Sequence, residues 1–290
     1  MNNSITIVTA FFDIGRSNWN AENGHSNRLE RNTDTYFSYF NKLAELDNEI
    51  IIFTSDDLKE KVLSRRKGKP TTVITIDIYK KFKHLLNRIS KIQNSDEFKK
   101  LIKPEQLKNP EYWSAEYVLI NNLKTYFVNK AINLKLTHNE LIAWIDFGYI
   151  RKDKTIYGIK NWYHPFNPEK IHLFSIRDNF KLEDMDTVLS RVINNETFII
   201  GGVLVSSKNK WAEFHEVVTK TQKQLLNINI IDDDQGVFLM CTNQKPNLVQ
   251  IHYLGHMEWF RVFKLFHRGS NISYLKWLKI ILRLNKPQND

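Results

Sequence analysis

The chain has 290 residues, 42% of them hydrophobic and 12% aromatic, and its 42 Lys and Arg against 32 Asp and Glu give a formal charge of +10. That is ample apolar material for a packed core, and it excludes a disordered or low-complexity chain. Cys241 is the only cysteine, which excludes an intramolecular disulfide and any zinc site built on several thiolates.

A reducing cytoplasm is the compartment this cysteine usage predicts. Met1-Asn2-Asn3-Ser4-Ile5 offers neither a basic n-region nor an apolar h-region, so no signal peptide is expected. No uninterrupted apolar run reaches the roughly 18 residues that suggest a membrane span. The net charge and a pI near 9.4 point to an anionic partner: nucleic acid, a nucleotide diphosphate or a membrane surface.

Ile5 to Phe11 is a β-branched run that predicts a first strand, followed by an Asn-rich segment from Asp13 to Asn27 in which Gly15-Arg16 can present backbone N–H groups and a cation to a phosphate. Arg31 to Leu46 has helical periodicity, with Tyr36, Phe37, Phe40, Leu43 and Ala44 on one face. Ile50 to Thr54 is a second strand, ending at Ser55-Asp56. Strand, helix and strand make a βαβ unit.

From Lys59 to Lys103 the chain is rich in Lys and Arg, with a short strand at Thr72–Ile76 and a helical stretch from Tyr79 to Ile92. Such runs usually form solvated helix faces. Trp113 to Leu134 reads as one amphipathic helix carrying Lys124. It leads into Leu141-Ile142-Ala143-Trp144-Ile145-Asp146-Phe147-Gly148-Tyr149, an apolar run of strand length that stops at a carboxylate. Ligands of open α/β sheets bind beyond the carboxyl ends of the strands, so Asp146 is either a ligand-facing acid or a turn cap.

Thr155 to Phe174, with His164 and His172, reads as loops and short strands, and Lys181 to Val192 as a helix. Thr197 to Ser207 is a strand pair or a bulged strand around Gly201-Gly202, where backbone must approach something closely. Trp211 to Leu226 is a helix. Asp232-Asp233-Asp234-Gln235 opens the next one, and three carboxylates exceed what a cap requires. Leu248 to Ile251 is a last strand, followed by His252 and His256.

Arg261 to Lys286 contains no acidic residue. On a helical wheel Tyr274, Trp277, Leu278, Ile281 and Leu282 share one face, while Lys276, Lys279, Arg283 and Lys286 share the other. That pattern fits a helix lying on an anionic membrane surface, or one packed on the domain with a solvated basic side.

Three stretches together resemble the HtrL/YibB family of bacterial proteins: Thr9 to Arg16, Tyr36-Phe37-Ser38-Tyr39-Phe40, and Trp144 to Tyr149. Behind that lies a resemblance in order to GT-A-type glycosyltransferases. Their pattern is a nucleotide-binding βαβ start, a carboxylate-ended strand mid-chain, a Gly-Gly strand, an Asp-Asp-Gln helix start and a late His. The resemblance implies an α/β fold, GT-A-like, with a mixed, mostly parallel sheet flanked by helices over residues 1–265, and a basic amphipathic tail over 266–290.

It also implies a glycosyltransferase that uses a UDP- or dTDP-sugar and a glycan or glycolipid acceptor, such as lipopolysaccharide or capsule precursors. The protein would be cytoplasmic and peripheral on the inner membrane face. The alternatives are a basic nucleic-acid-binding protein, suggested by the charge and the Lys/Arg-rich 59–103 segment but lacking any RRM, KH, zinc-finger or homeodomain signature, and a nucleotidyltransferase on a similar sheet. Thr9, Phe11, Arg16, Asp56, Lys124 and Asp146 fall on the donor side. Gly201, Gly202 and Asp232 fall on the acceptor side, and Asp234 or Asp233 supplies the base. The GT-A motif D-x-D holds manganese or magnesium, and here Asp146 matches its first Asp while Gly148 stands where the second would be. His256, with His252 as the alternative, could complete the metal site, or basic residues could replace the metal.

Overall fold

The computed structural model describes residues 4–178 and 181–267. Strand β1 (Thr6–Phe11) is buried along its whole length, as expected of a strand covered on both faces. Three single 3-10 turns follow, Arg16–Asn18, Ala21–Asn23 and Asn27–Leu29. Helix α1 (Thr33–Ala44) is capped by the Asn32 side chain and buries Phe37, Phe40, Leu43 and Ala44, the face its periodicity predicts. After it come β2 (Ile50–Thr54), α2 (Lys59–Arg65) and β3 (Thr71–Thr75).

The helix expected over residues 79–92 is divided at Phe82 into α3 (Ile78–Lys81) and α4 (Lys83–Gln93), and α5 (Asp96–Leu101) completes the basic segment. This segment is not solvated throughout. Arg66 is 2% exposed, and its guanidinium donates to the carbonyls of Ala44, Leu46, Asn48 and Pro70. Burial pulls its pKa down to about 10, and the four carbonyls make it a clasp between loops rather than a cation offered to a partner.

The single long helix read from Trp113 to Leu134 is also two: α6 (Ala115–Asn122) and α7 (Lys124–Asn133), meeting at Leu123. Then come β4 (Leu141–Ile145), α8 (Asp153–Ile156), β5 (Ile171–Ser175), α9 (Met185–Ile193) and β6 (Ile199–Ser207). The Gly-Gly stretch is thus one nine-residue strand, with a register shift where it pairs β5 between His172 and Phe174. Helices α10 (Lys208–Asn227) and α11 (Asp234–Gln244), strand β7 (Val249–Tyr253) and α12 (Val262–Leu265) end the described chain.

The seven strands form one sheet in the order β3-β2-β1-β4-β6-β5-β7. β6 is antiparallel to both of its neighbours, and the other pairings are parallel. This is the mixed, mostly parallel sheet that was expected. Alternate strand residues feed two cores. Val8, Ile51, Ile142 and Leu173 pack under α4, α6, α7, α9, α10 and α11. Ile7, Ile52, Ile145 and Val203 pack under α1, α2, α8 and α12.

No helix among the described residues is long and apolar enough to cross a membrane. The amphipathic tail expected from residue 266 lies, from 268 onward, outside the described residues.

Candidate functional site

The chain leaves β1 for β2 on one side of it and returns to β4 on the other. Where β1 and β4 lie side by side, their carboxyl ends diverge into different loops, the usual position of a ligand in an open α/β sheet. Because β6 runs antiparallel, its amino end reaches the same edge, and Asp146 N donates to Gly202 O at 2.9 Å. A cavity of about 280 Å³ opens there.

At its floor, Lys124 stands as the first residue of α7 and is 4% exposed. Its Nζ lies 2.9 Å from Asp146 Oδ1, 2.8 Å from Asp234 Oδ2 and 2.9 Å from Gly201 O. Trp144 Nε1 donates to the same Asp146 Oδ1 at 2.8 Å. Burial works against the ammonium, but Asp146 and Asp234 more than offset it and lift the Lys124 pKa above the ordinary lysine value. Burial pushes Asp234 up to about 7 against the pull of Lys124, with Asp233 and Asp146 adding to the rise. One cation is shared among several carboxylates, so Asp234 changes charge near neutral pH.

Both glycines of β6 line the cavity. A Cβ on Gly201 would stand 1.3 Å from Asp234 Oδ2, and one on Gly202 would meet the Tyr149 ring at 2.9 Å. The absent side chains are the space that the Asp234 carboxylate and Tyr149 fill.

On the upper wall sit Arg16, Arg31 and Arg151. Gly15, at φ 74°, turns the chain so that Arg16 points inward. The Gly15 N–H itself is taken by Asp13 Oδ1 at 2.9 Å, so it is the side chain of the Gly-Arg pair that faces the site. Arg16 is 8% exposed, donates to Tyr36 Oη at 2.5 Å and to Leu29 O at 2.9 Å, and lies over the Trp19 ring at 4.8 Å. The rim is closed by Trp259 and Phe260 from the loop after β7; Tyr149 Oη donates to Trp259 O, and Arg151 lies over Phe260 at 4.9 Å.

The structure therefore brings together Phe11, Arg16, Lys124, Asp146, Gly201, Gly202 and Asp234 in one cavity. Other expected residues lie elsewhere. Thr9 is fully buried within β1, and Asp56 is exposed at the end of β2. Asp233 accepts from Gln235 N as the cap of α11, and Asp232 is buried against Gly236, where a Cβ would meet its Oδ2 at 1.8 Å. Asp232 and Asp233 precede α11 on non-helical backbone, and of the three acids one lines the cavity. It is Asp234.

His256 is exposed and His252 pairs with His172 at 2.8 Å among Phe166, Phe174 and Phe266. Neither lines the cavity with Asp146. Among the described residues no three of His, Cys, Asp and Glu converge as metal ligands. A Cβ at Gly148 would press on the Tyr36 ring at 3.1 Å, so a second Asp there would require that ring to shift. A divalent ion wants free carboxylate oxygens. Asp146 and Asp234 already hold the Lys124 ammonium, the third carboxylate lining the cavity, Asp13, accepts from Gly15 N and Thr33 Oγ1, and this donor set does not fit a metal.

The family described as "Bacterial protein of unknown function (HtrL_YibB)" matches residues 3–268. "Protein HtrL" of Escherichia coli (strain K12) is 50% identical over 282 residues, covering 97% of this chain and 99% of that one. The chain belongs to the HtrL/YibB family. The three stretches that carry the HtrL/YibB resemblance all reach the cavity, through Phe11 to Ile14 and Arg16, Tyr36 and Tyr39, and Trp144 with Asp146 to Tyr149.

Solved structures similar in chain path include mouse xyloside xylosyltransferase 1 in its apo form, 11% identical with a TM-score of 0.41, covering 92% of this chain and 94% of that one. The galactosyltransferase LgtC with donor and acceptor sugar analogues is 12% identical, with a TM-score of 0.42 over 86% and 73% of the two chains. The inositol-1-phosphate CTP transferase of T. maritima is 10% identical, with a TM-score of 0.42 over 88% and 87%.

Arg31, Arg151, Trp259 and Phe260 were not legible as site residues. Each is a lone side chain in a loop, without spacing or motif around it. Arg151 alone had a signal, as a cation close behind the Asp146 strand.

Proposed function

We propose that this protein transfers a sugar from a nucleotide-sugar donor, a UDP- or dTDP-sugar, to a glycan or glycolipid acceptor. The observation that carries the reading is one cavity that holds buried cations beside two carboxylates fixed by a shared lysine. Departure of a nucleoside diphosphate needs positive charge where the leaving group develops, and Arg16, Arg31 and Arg151 supply it. Sugar hydroxyls need fixed acceptors. Asp146, whose side chain is 38% exposed, offers Oδ2 while Lys124 and Trp144 hold Oδ1.

Asp234 is the candidate base for the acceptor hydroxyl, because its pKa near 7 lets it take a proton at neutral pH. Trp259 and Phe260 offer aromatic faces to a sugar ring at the rim. The acid-free stretch from Arg261 to Lys286 supports an acceptor presented at an anionic membrane surface, with the protein peripheral on the cytoplasmic side.

The test is to incubate the purified protein with a panel of UDP- and dTDP-sugars and analyse the products. Release of nucleoside diphosphate is expected, and Asp146→Asn and Asp234→Asn should each lower it by about 100-fold or more while the circular dichroism spectrum is kept. Release of pyrophosphate, or full activity in both variants, overturns the reading.

A further inference from the structure

We propose that the cavity binds the diphosphate group through arginine guanidiniums, with no divalent cation between protein and phosphate. The inference rests on the sugar-nucleotide reading above and specifies how that site meets its donor's charge.

Lys124 is matched by Asp146 and Asp234. The three arginines are not matched: among the described residues no carboxylate lies within ion-pair distance of Arg16, Arg31 or Arg151, although all three line the cavity. Arg16 is the decisive one. It is more than nine-tenths buried, its Nε has no hydrogen-bond partner, and its other contacts are a phenol, a carbonyl and three aromatic rings. A buried cation without a counter-charge is costly, and the aromatic cage holds its plane in place without neutralising it.

Arg31 and Arg151 stand close enough that burial and then the charge of Arg31 depress the Arg151 pKa. Two like charges held together at the mouth of a cavity, with a third beneath, are arranged for a polyanion. The planar fork of guanidinium matches phosphate oxygens in pairs, which an ammonium does not.

The carboxylate side leads to the same conclusion. A divalent ion at Asp146 would have to use Oδ2 alone, beside an ammonium bonded to Oδ1, and the neighbouring carboxylate of Asp234 is held by that same ammonium. Lys124 already occupies the point where Asp146, Asp234 and the Gly201 carbonyl converge. The protein carries its own cation there.

The experiment is calorimetric titration of the full chain with inorganic pyrophosphate, UDP and dTDP, in EDTA and again in manganese. All three should bind in EDTA, with affinities moved less than about threefold by manganese, and Arg16→Lys should weaken each by about tenfold as the paired contacts are lost. Should Arg16→Lys fail to fold, Arg31→Gln, at a part-exposed loop position, carries the comparison.

Binding that needs manganese overturns the arginine site and leaves the sugar-nucleotide reading standing. Pyrophosphate bound in EDTA, with UDP and dTDP no tighter, leaves the arginine site standing and removes the nucleotide. Failure of every ligand to bind in EDTA, or indifference to the arginine substitutions, overturns the inference.

Discussion

Lys124 holds two carboxylates and a carbonyl with one ammonium, and nothing else among the described residues neutralises Asp146 and Asp234 at contact distance. Lys124→Met should therefore cost about 3–5 kcal/mol, the penalty for leaving buried charge unpaired, read as a lower urea midpoint. Gly201→Ala tests the same cluster from the other side. Its methyl would stand 1.3 Å from Asp234 Oδ2, so the carboxylate must leave Lys124. Donor turnover should fall by at least about tenfold, a rise of roughly 1.4 kcal/mol in the barrier. An unchanged rate would show that Asp234 does not need its present place.

At the scale of elements, the start of α11 collects acids whose pKa values are raised. Burial and then Asp233 lift Asp232 well above the usual carboxylate range, while burial and then Glu111 push Asp233 up to about 7. A carboxyl with a raised pKa binds its proton more tightly when folded than when unfolded. Its contribution to stability is present below about pH 4 and is lost as pH rises through about 7. Thermal unfolding followed between pH 5 and pH 8 should show a falling Tm across this window.

Asp233→Asn keeps an acceptor for the Gln235 N–H and removes the charge, so it should flatten that fall. At pH 8 it should raise Tm by a few degrees, since about 1 kcal/mol moves a protein of this size by roughly 2–4 °C. A slope as steep as that of the parent would place the titration elsewhere. The division of the Trp113–Leu134 stretch into α6 and α7 works at this scale too, because it sets Lys124 at a helix start beside β6.

For the whole molecule, a cavity lined by unpaired arginines, one of them buried, should be stabilised by the anion that fills it. A bound nucleoside diphosphate at about 100 times its Kd should add about 2.7 kcal/mol, visible as a rise in Tm that grows with ligand concentration. A Tm that does not move over that range would mean that these cations serve the fold alone.

Much of this molecule could be read from its residues. The continuous apolar runs of β1, β2 and β4, the helical face of Phe37, Phe40 and Leu43, and the carboxylate ending β4 follow from local pattern, because a buried strand or an amphipathic helix shows itself over a few consecutive residues. Asp146, Lys124, Gly201 and Asp234 stood out singly for the same reason. Their meeting did not, since the contacts join residues 22 to 110 positions apart and depend on β6 running antiparallel against β4.

The tertiary structure decided which acid of the Asp232-Asp233-Asp234 run faces the cavity: Asp233 turns back to cap α11, Asp232 packs against Gly236, and Asp234 meets Lys124. It set His252 against His172 instead of against Asp146. It also separated Arg66, satisfied by four carbonyls, from Arg16, whose Nε is left without an acceptor. In sequence both are arginines in basic or polar segments. What each cation does depends on the partners that folding places around it.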